Sequence, residues 1–299
     1  MINWLSVFEG LRFGQVSGLG VDSQGLVYVF HRAETVMQVR TKKVPHVIHS
    51  NTIFVLDSET GEIKTQWGSD LFLMPHGLTV DQDNNLWVTD IGLHQVFKFD
   101  RFGKILMAIG EKGVPGSDKC HFNQPTDVAV AEDSSFYVSD GYKNSRVVRF
   151  SPEGEYLYEW GTKGNKYGQF IIPHSLALNS CGRVYVVDRG NKRVQVFEDD
   201  GNFVGEWKGD EIGCPWTIRF DSLGMAYVID AGKSSLFSVR SPRIIKVGID
   251  GKVLSSLLVS DGKQSQFTMP HAIGIGIDGV LYVGEAVAGR PIQAIRGFI

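Results

Sequence analysis

The chain of 299 residues is long enough to bury a substantial core, and its 42% hydrophobic and 21% charged content excludes both a disordered polymer and a membrane-embedded protein. A net charge of −3 and a pI near 6.2 give no electrostatic footprint for nucleic acid or an anionic membrane surface. Cys120, Cys181 and Cys214, an odd set with no CxxC, exclude a disulfide framework and a cysteine zinc site. The segment Met-Ile-Asn-Trp-Leu shows no signal-peptide pattern, and no stretch approaches the roughly 20 apolar residues of a spanning helix. The expectation is a reduced, cytoplasmic protein. Glycine, at 35 residues, exceeds its usual share of about 7%, which points to many tight turns and hence many short strands.

In chain order, one layout recurs: a short apolar strand, a polar turn, and a second apolar strand ending in an acid. The first copy lacks the opening proline and pairs Val16-Ser17-Gly18-Leu19-Gly20-Val21-Asp22 with Val27-Tyr28-Val29-Phe30-His31. Five copies with the proline follow, opening at Pro75, Pro125, Pro173, Pro215 and Pro270 and closing at Asp90, Asp140, Asp188, Asp230 and Glu285. Alternating third strands come next, such as Gln95–Phe99, Arg146–Phe150 and Arg193–Phe197, and fourth strands end in a tryptophan at Trp67, Trp160 and Trp207. Four strands repeated about every 40 to 55 residues are the arithmetic of a propeller blade. The pattern resembles NHL-type repeats. It predicts an all-β, six-bladed β-propeller of four-stranded blades, one domain over residues 1–299. The last unit lacks a fourth strand, which the segment from Trp4 to Phe8 is expected to supply, closing the ring. Two long insertions, Ala33 to Ser50 and Gly110 to His121, are candidate functional loops.

The residue after the recurring proline position reads, blade by blade, Ser17, His76, Thr126, His174, Trp216 and His271. Histidine thus occupies alternate blades, and alternate blades of a six-bladed ring are related by about 120°. Three imidazoles would converge on one axis, a donor set for a divalent metal with an open position; zinc is favoured, and iron, cobalt or copper fit the same ligands. The acids that end the second strands recur in five of the six units, so they read as turn caps or as partners of Arg146 and Arg193 rather than catalysts. His31 replaces that acid in the first unit and is expected to face the site. His121 is the loop histidine with an open supporting role. Trp67, Trp160 and Trp207 read as blade-packing residues.

Several runs together carry a more specific likeness. They are Gly14-Gln15-Val16-Ser17-Gly18, Phe30-His31-Arg32, Met74-Pro75-His76-Gly77-Leu78, Gln124-Pro125-Thr126-Asp127, Ser139-Asp140-Gly141-Tyr142, Pro173-His174-Ser175 and Met269-Pro270-His271. The chain resembles the peptidyl-α-hydroxyglycine α-amidating lyase family from about Gly14 to Tyr282. The resemblance implies a zinc-dependent lyase that splits an N-acyl-α-hydroxyglycine, a small molecule or a peptide C-terminus, into a primary amide and glyoxylate. On the matching positions His76, His174 and His271 would be zinc ligands, Tyr142 the general base, Arg32 the partner of the substrate carboxylate, and Met269 a pocket residue. Three departures stand out. Ala272 replaces an acid that in the family helps hold a structural calcium, which argues against calcium here. Asn123 and Lys143 stand where secreted members carry cysteines, and the tail after Glu285 diverges. A monomer is expected, with no nucleic-acid or membrane partner. The competing readings are a non-catalytic NHL scaffold for protein or peptide, and a lyase or lactonase-type hydrolase acting on another small substrate.

Overall fold

The computed structural model describes residues 3–5, 13–37, 46–235, 238–257 and 267–298. Six four-stranded antiparallel sheets make a six-bladed propeller fold. The first blade holds Val16–Val21, Leu26–His31, Ile53–Asp57 and Ile63–Trp67; the second holds Pro75–Val80, Leu86–Asp90, Gln95–Phe99 and Ile105–Ile109. Pro125–Val130, Phe136–Asp140, Arg146–Phe150 and Tyr156–Trp160 form the third, and Pro173–Leu178, Val184–Asp188, Arg193–Phe197 and Phe203–Lys208 the fourth. The fifth contains Pro215–Phe220, Ala226–Asp230, Arg243–Val247 and Val253–Leu257. In the sixth, Pro270–Ile275, Leu281–Glu285 and Gln293–Arg296 are joined by Asn3–Leu5, which pairs with Ala294–Arg296; of the expected fourth strand, Ser6 to Phe8 lie outside the described residues. Among the described residues the one helical element is a 3-10 turn at Arg189–Asn191, and no helix is long and apolar enough to cross a membrane.

By contact density, residues 1–127 group with 272–299, and 128–271 form a second unit; both divisions fall inside strands, Pro125–Val130 and Pro270–Ile275. In the first unit, Phe30, Phe72, Leu78, Val88 and Phe99 pack between the first two blades, and Phe13, Val16, Leu19, Ala272 and Tyr282 form another buried cluster. In the second unit, Tyr185, Val194, Ile218, Val228 and Ile245 fill the space between the fourth and fifth blades. The calcium-ligand position of the resemblance is therefore an alanine packed among apolar side chains. Residues 38–45 of the first long insertion lie outside the described residues.

The recurring tryptophans and glycines form one device. Each tryptophan closes a fourth strand and lies flat against the turn glycine of the following blade: Trp67 on Gly103, Trp160 on Gly201, Trp207 on Gly251. These glycines have φ of 90°, 86° and 83°, and a Cβ at Gly201 would lie 2.9 Å from the Trp160 ring. Two demands thus coincide at one residue, a left-handed backbone and no side chain. A second recurring device was not anticipated. The acid after the first strand caps the turn and accepts a hydrogen bond from the aromatic of the second strand, as in Tyr28 Oη to Asp22 (3.0 Å), Trp87 Nε1 to Asp81 (2.9 Å) and Tyr227 Oη to Asp221 (3.1 Å).

The tryptophan contact can be weighed against backbone strain alone. Gly201→Ala should lower stability by about 2–4 kcal/mol, the sum of left-handed strain and a forced shift of the indole. Gly182→Ala, at φ 79° with nothing within 4 Å of the added Cβ, should cost only the strain part. Urea unfolding midpoints for the two variants measure the difference, and equal losses would remove the packing role.

Candidate functional site

The side chains that matter sit where the first strand of each blade begins, and in the first, second, fourth and fifth blades the backbone there is bulged. Pro173 pairs with Asp188 and Ser175 with Val187, so the register shifts at His174. The same break isolates Ser17 between Val16 and Gly18, and Trp216 between Pro215 and Thr217; His76 and Gly77 fall in the gap between Pro75 and Leu78. A bulge re-aims the side chain of the extra residue, so the position after the proline is turned out of the sheet alternation. The close approach at Gly77, whose Cβ would come 2.5 Å from the Thr126 carbonyl oxygen, brings His76 against the neighbouring strand.

The acids opposite these prolines hold the incoming loops. Asp90 accepts backbone N–H bonds from Leu73 and Met74 before the strand and from Gly92 and Leu93 after its own, all at 2.8 Å. Asp188 accepts from Ile171 (2.7 Å) and Asp230 from Cys214 (2.8 Å) and Gly232 (3.0 Å). Arg146 and Arg193 pair with Asp140 and Asp188 at 3.0 and 2.9 Å, as expected. Burial raises the carboxyls of Asp90 and Asp188 above the usual range, against the lowering effect of these bonds. They are scaffold groups. His31, which replaces the acid, repeats its role: its Nδ1 accepts from Gly14 N (3.2 Å) and Ala33 N (3.0 Å). Its ring packs against Phe13 and Phe54, and burial pushes its pKa down to about 4. It supports the strand entry.

His76, His174 and His271 are buried, and one ring nitrogen from each lies within 4.8 Å of the others. His76 Nδ1–H donates to the carbonyl of Thr126 (2.7 Å) and His174 Nδ1–H to that of Trp216 (2.8 Å). Each acceptor is the residue after the opening proline of the next blade. Since a carbonyl can only accept, these bonds fix the tautomer and make the Nε2 of both rings an acceptor. The rings of His174 and His271 meet edge to face with centroids 5.2 Å apart. This donor set fits a divalent transition metal: three buried imidazoles, two of them oriented from behind by backbone carbonyls.

Tyr142, in the loop after Phe136–Asp140, donates its hydroxyl to His174 Nε2 at 3.1 Å. Arg32 is buried; its Nε donates to the carbonyl of Pro75, one residue before His76, and Nη1 to Gln15 Oε1, both at 3.0 Å. Met269, two residues before His271, is 41% exposed. His121 is held by Asp118 and Glu111, whose hydrogen bonds raise its pKa; it is a surface group of the Gly110–His121 loop. Cys120, Cys181 and Cys214 are free thiols.

Sequence reading missed Arg189. It opens the 3-10 turn directly after Asp188, with its guanidinium carbon 5.3 Å from the Tyr142 ring and 5.0 Å from the Trp216 ring. Among the described residues it has no ion-pair partner. The available signal was its place, one residue past the acid of the blade that carries His174, as Tyr142 is two residues past the acid of the preceding blade.

Three comparisons bear on this site. The NHL repeat model matches residues 72–99, 122–150 and 170–197, blades two to four. A probable peptidyl-alpha-hydroxyglycine alpha-amidating lyase of Caenorhabditis elegans is 36% identical over 94% of this chain and 83% of its own length. A peptidyl-glycine alpha-amidating monooxygenase of Xenopus laevis is 37% identical over 93% of this chain; the chain spans about a third of that relative, 31% of its length. A gluconolactonase of Xanthomonas campestris superposes with a TM-score of 0.67 over 98% of this chain and 89% of its own, at 14% identity, a likeness of fold alone.

The role of His31 has a pH signature. Its folded pKa lies below the ordinary 6.5, so its contribution to stability is present above pH 6.5 and is lost as pH falls toward about 4. The loss amounts to about 3 kcal/mol at most. His31→Asn keeps an acceptor but cannot titrate, so its stability should fall less steeply over that window in urea unfolding. Parallel curves for variant and parent would contradict the assignment.

Proposed function

Because the chain belongs to the peptidyl-α-hydroxyglycine α-amidating lyase family, we propose that it cleaves the C–N bond of an N-acyl- or peptidyl-α-hydroxyglycine, releasing a primary amide and glyoxylate. The observation that carries this reading is the cluster of three imidazoles, two of them oriented by backbone carbonyls, with a phenol on one of them. His76, His174 and His271 would hold the metal, and three imidazoles favour zinc. When bound, the metal supplies Lewis-acid polarisation of the substrate hydroxyl oxygen.

The chain's own groups do the rest. Tyr142, as the general base, accepts the hydroxyl proton; the C–O bond becomes the carbonyl of glyoxylate as the C–N bond breaks. The nitrogen departs with the electron pair and takes the proton back from Tyr142, which completes the primary amide. The planar guanidinium of Arg32, held by Pro75 and Gln15, is the clamp for the substrate carboxylate, and its fork suits that shape. Arg189 adds a second cation that no carboxylate of the described chain neutralises, open to the same substrate group. Met269 lines the approach to His271.

Two variants separate the parts of this scheme. His174→Ala should lose bound zinc and with it glyoxylate release from N-benzoyl-α-hydroxyglycine. Tyr142→Phe should keep zinc and lose about 100-fold or more in kcat, the range of a missing general base. Metal content unchanged in His174→Ala would sink the ligand assignment; zinc present in the parent without glyoxylate release would keep the site and discard the substrate.

A further inference from the structure

Trp216 occupies the bulged position of the fifth blade, between His174 and His271, and the reaction scheme gives it no role. Its surroundings are specific. Pro215 and Thr217 pair with Asp230 and Ile229, so the bulge leaves Trp216 out of the ladder. Its carbonyl is pinned by the His174 Nδ1–H at 2.8 Å. Its ring centroid lies 6.0 Å from those of both His174 and His271. The Arg189 guanidinium stands 5.0 Å from the indole and 5.3 Å from the Tyr142 ring.

The backbone of Arg189 is fixed, with its N–H on the carbonyl of Ile172 (3.0 Å) and that of Gly190 on Ile171. The long side chain has no such anchor: among the described residues it makes no ion pair and no side-chain hydrogen bond. Two aromatic faces are what hold it. An arginine that must bind an anion poses a problem of placement. A carboxylate beside it would hold it firmly and also neutralise it, competing with the substrate. An aromatic face attracts the cation through its quadrupole and leaves the N–H groups open, and indole does this best of the three aromatic side chains. Tyr142 supplies one face. Trp216 supplies the other.

We infer that Trp216 is a positioning residue, whose indole face sets where the Arg189 guanidinium stands beside Tyr142 and His174 and thereby sets the grip of the site on the substrate carboxylate. This rests on the reading that Arg189 meets that carboxylate. The slot residue of the fifth blade thus serves the site twice, by its carbonyl toward an imidazole and by its ring toward a cation.

The test compares Trp216→Leu, Trp216→Phe and Arg189→Ala in the full chain, with N-benzoyl-α-hydroxyglycine and its methyl ester as substrates. Trp216→Leu should raise KM for the acid about tenfold, with a smaller change in kcat, and the penalty should be much larger for the acid than for the ester. Trp216→Phe should recover most of the loss. The double variant Trp216→Leu/Arg189→Ala should be no worse than Arg189→Ala alone, because both remove one interaction. Crystal structures of the two Trp216 variants add a readout free of activity: the guanidinium displaced in the leucine variant and in place in the phenylalanine variant. Equal losses for acid and ester, additive losses in the double variant, or an undisplaced guanidinium in Trp216→Leu would overturn the inference. A parent protein that releases no glyoxylate from either substrate overturns the lyase reading instead, and the two crystal structures still decide whether the indole places Arg189.

Discussion

The arrangement depends on one local constraint, the entry of each first strand. In five blades a proline opens it, in four blades the register breaks at the next residue, and the group ending the second strand holds the incoming loop by its backbone N–H groups. Proline suits the place because the first residue of a strand has no ladder bond to lose. The bulge would be costly without the buried acid opposite, which satisfies N–H groups that the break leaves over. A chemically special side chain can then be exchanged at the bulge without disturbing the blade: serine, threonine, tryptophan or histidine all stand there.

That interchangeability explains how the site acquires a threefold character on a sixfold scaffold. The histidines differ from their neighbours only in the side chain, while the carbonyls that orient two of them belong to the intervening positions. Imidazole and orienting group are the same position used in two ways, side chain in one blade and main chain in the next. For two of the three rings the orienting group is thus a backbone carbonyl, which a side-chain substitution does not remove.

Much of this was legible in the residues because repetition is a strong signal. Six copies of a strand–turn–strand pattern specify blades, and histidine in alternate copies specifies convergence. What the residues did not disclose is the geometry that breaks the pattern. The bulge changes no residue type, so nothing in the alternation of His174-Ser175-Leu176 announces it. Arg189 falls on a loop outside the repeat, and its lack of an ion pair is a property of space rather than of order along the chain. His31 misled for the opposite reason: an imidazole at an acid's position suggested chemistry, whereas an unprotonated ring nitrogen simply accepts the same N–H bonds as a carboxylate. The tryptophans were read correctly as packing groups, and their glycine partners emerged only when neighbouring blades were seen together.

The sixth blade carries a consequence in time. Its outermost strand, Asn3–Leu5, precedes every other blade in the chain, while the three strands it joins come after all of them. During synthesis on the ribosome the early segment must wait, with its hydrogen-bonding edge unsatisfied, until the partner strand Gln293–Arg296 emerges. Long-range pairings of this kind are slow and come late in folding. His271 begins the first strand of that same blade. The third imidazole is therefore the last of the three in chain order, and its blade is the one that takes its fourth strand from the opposite end of the fold.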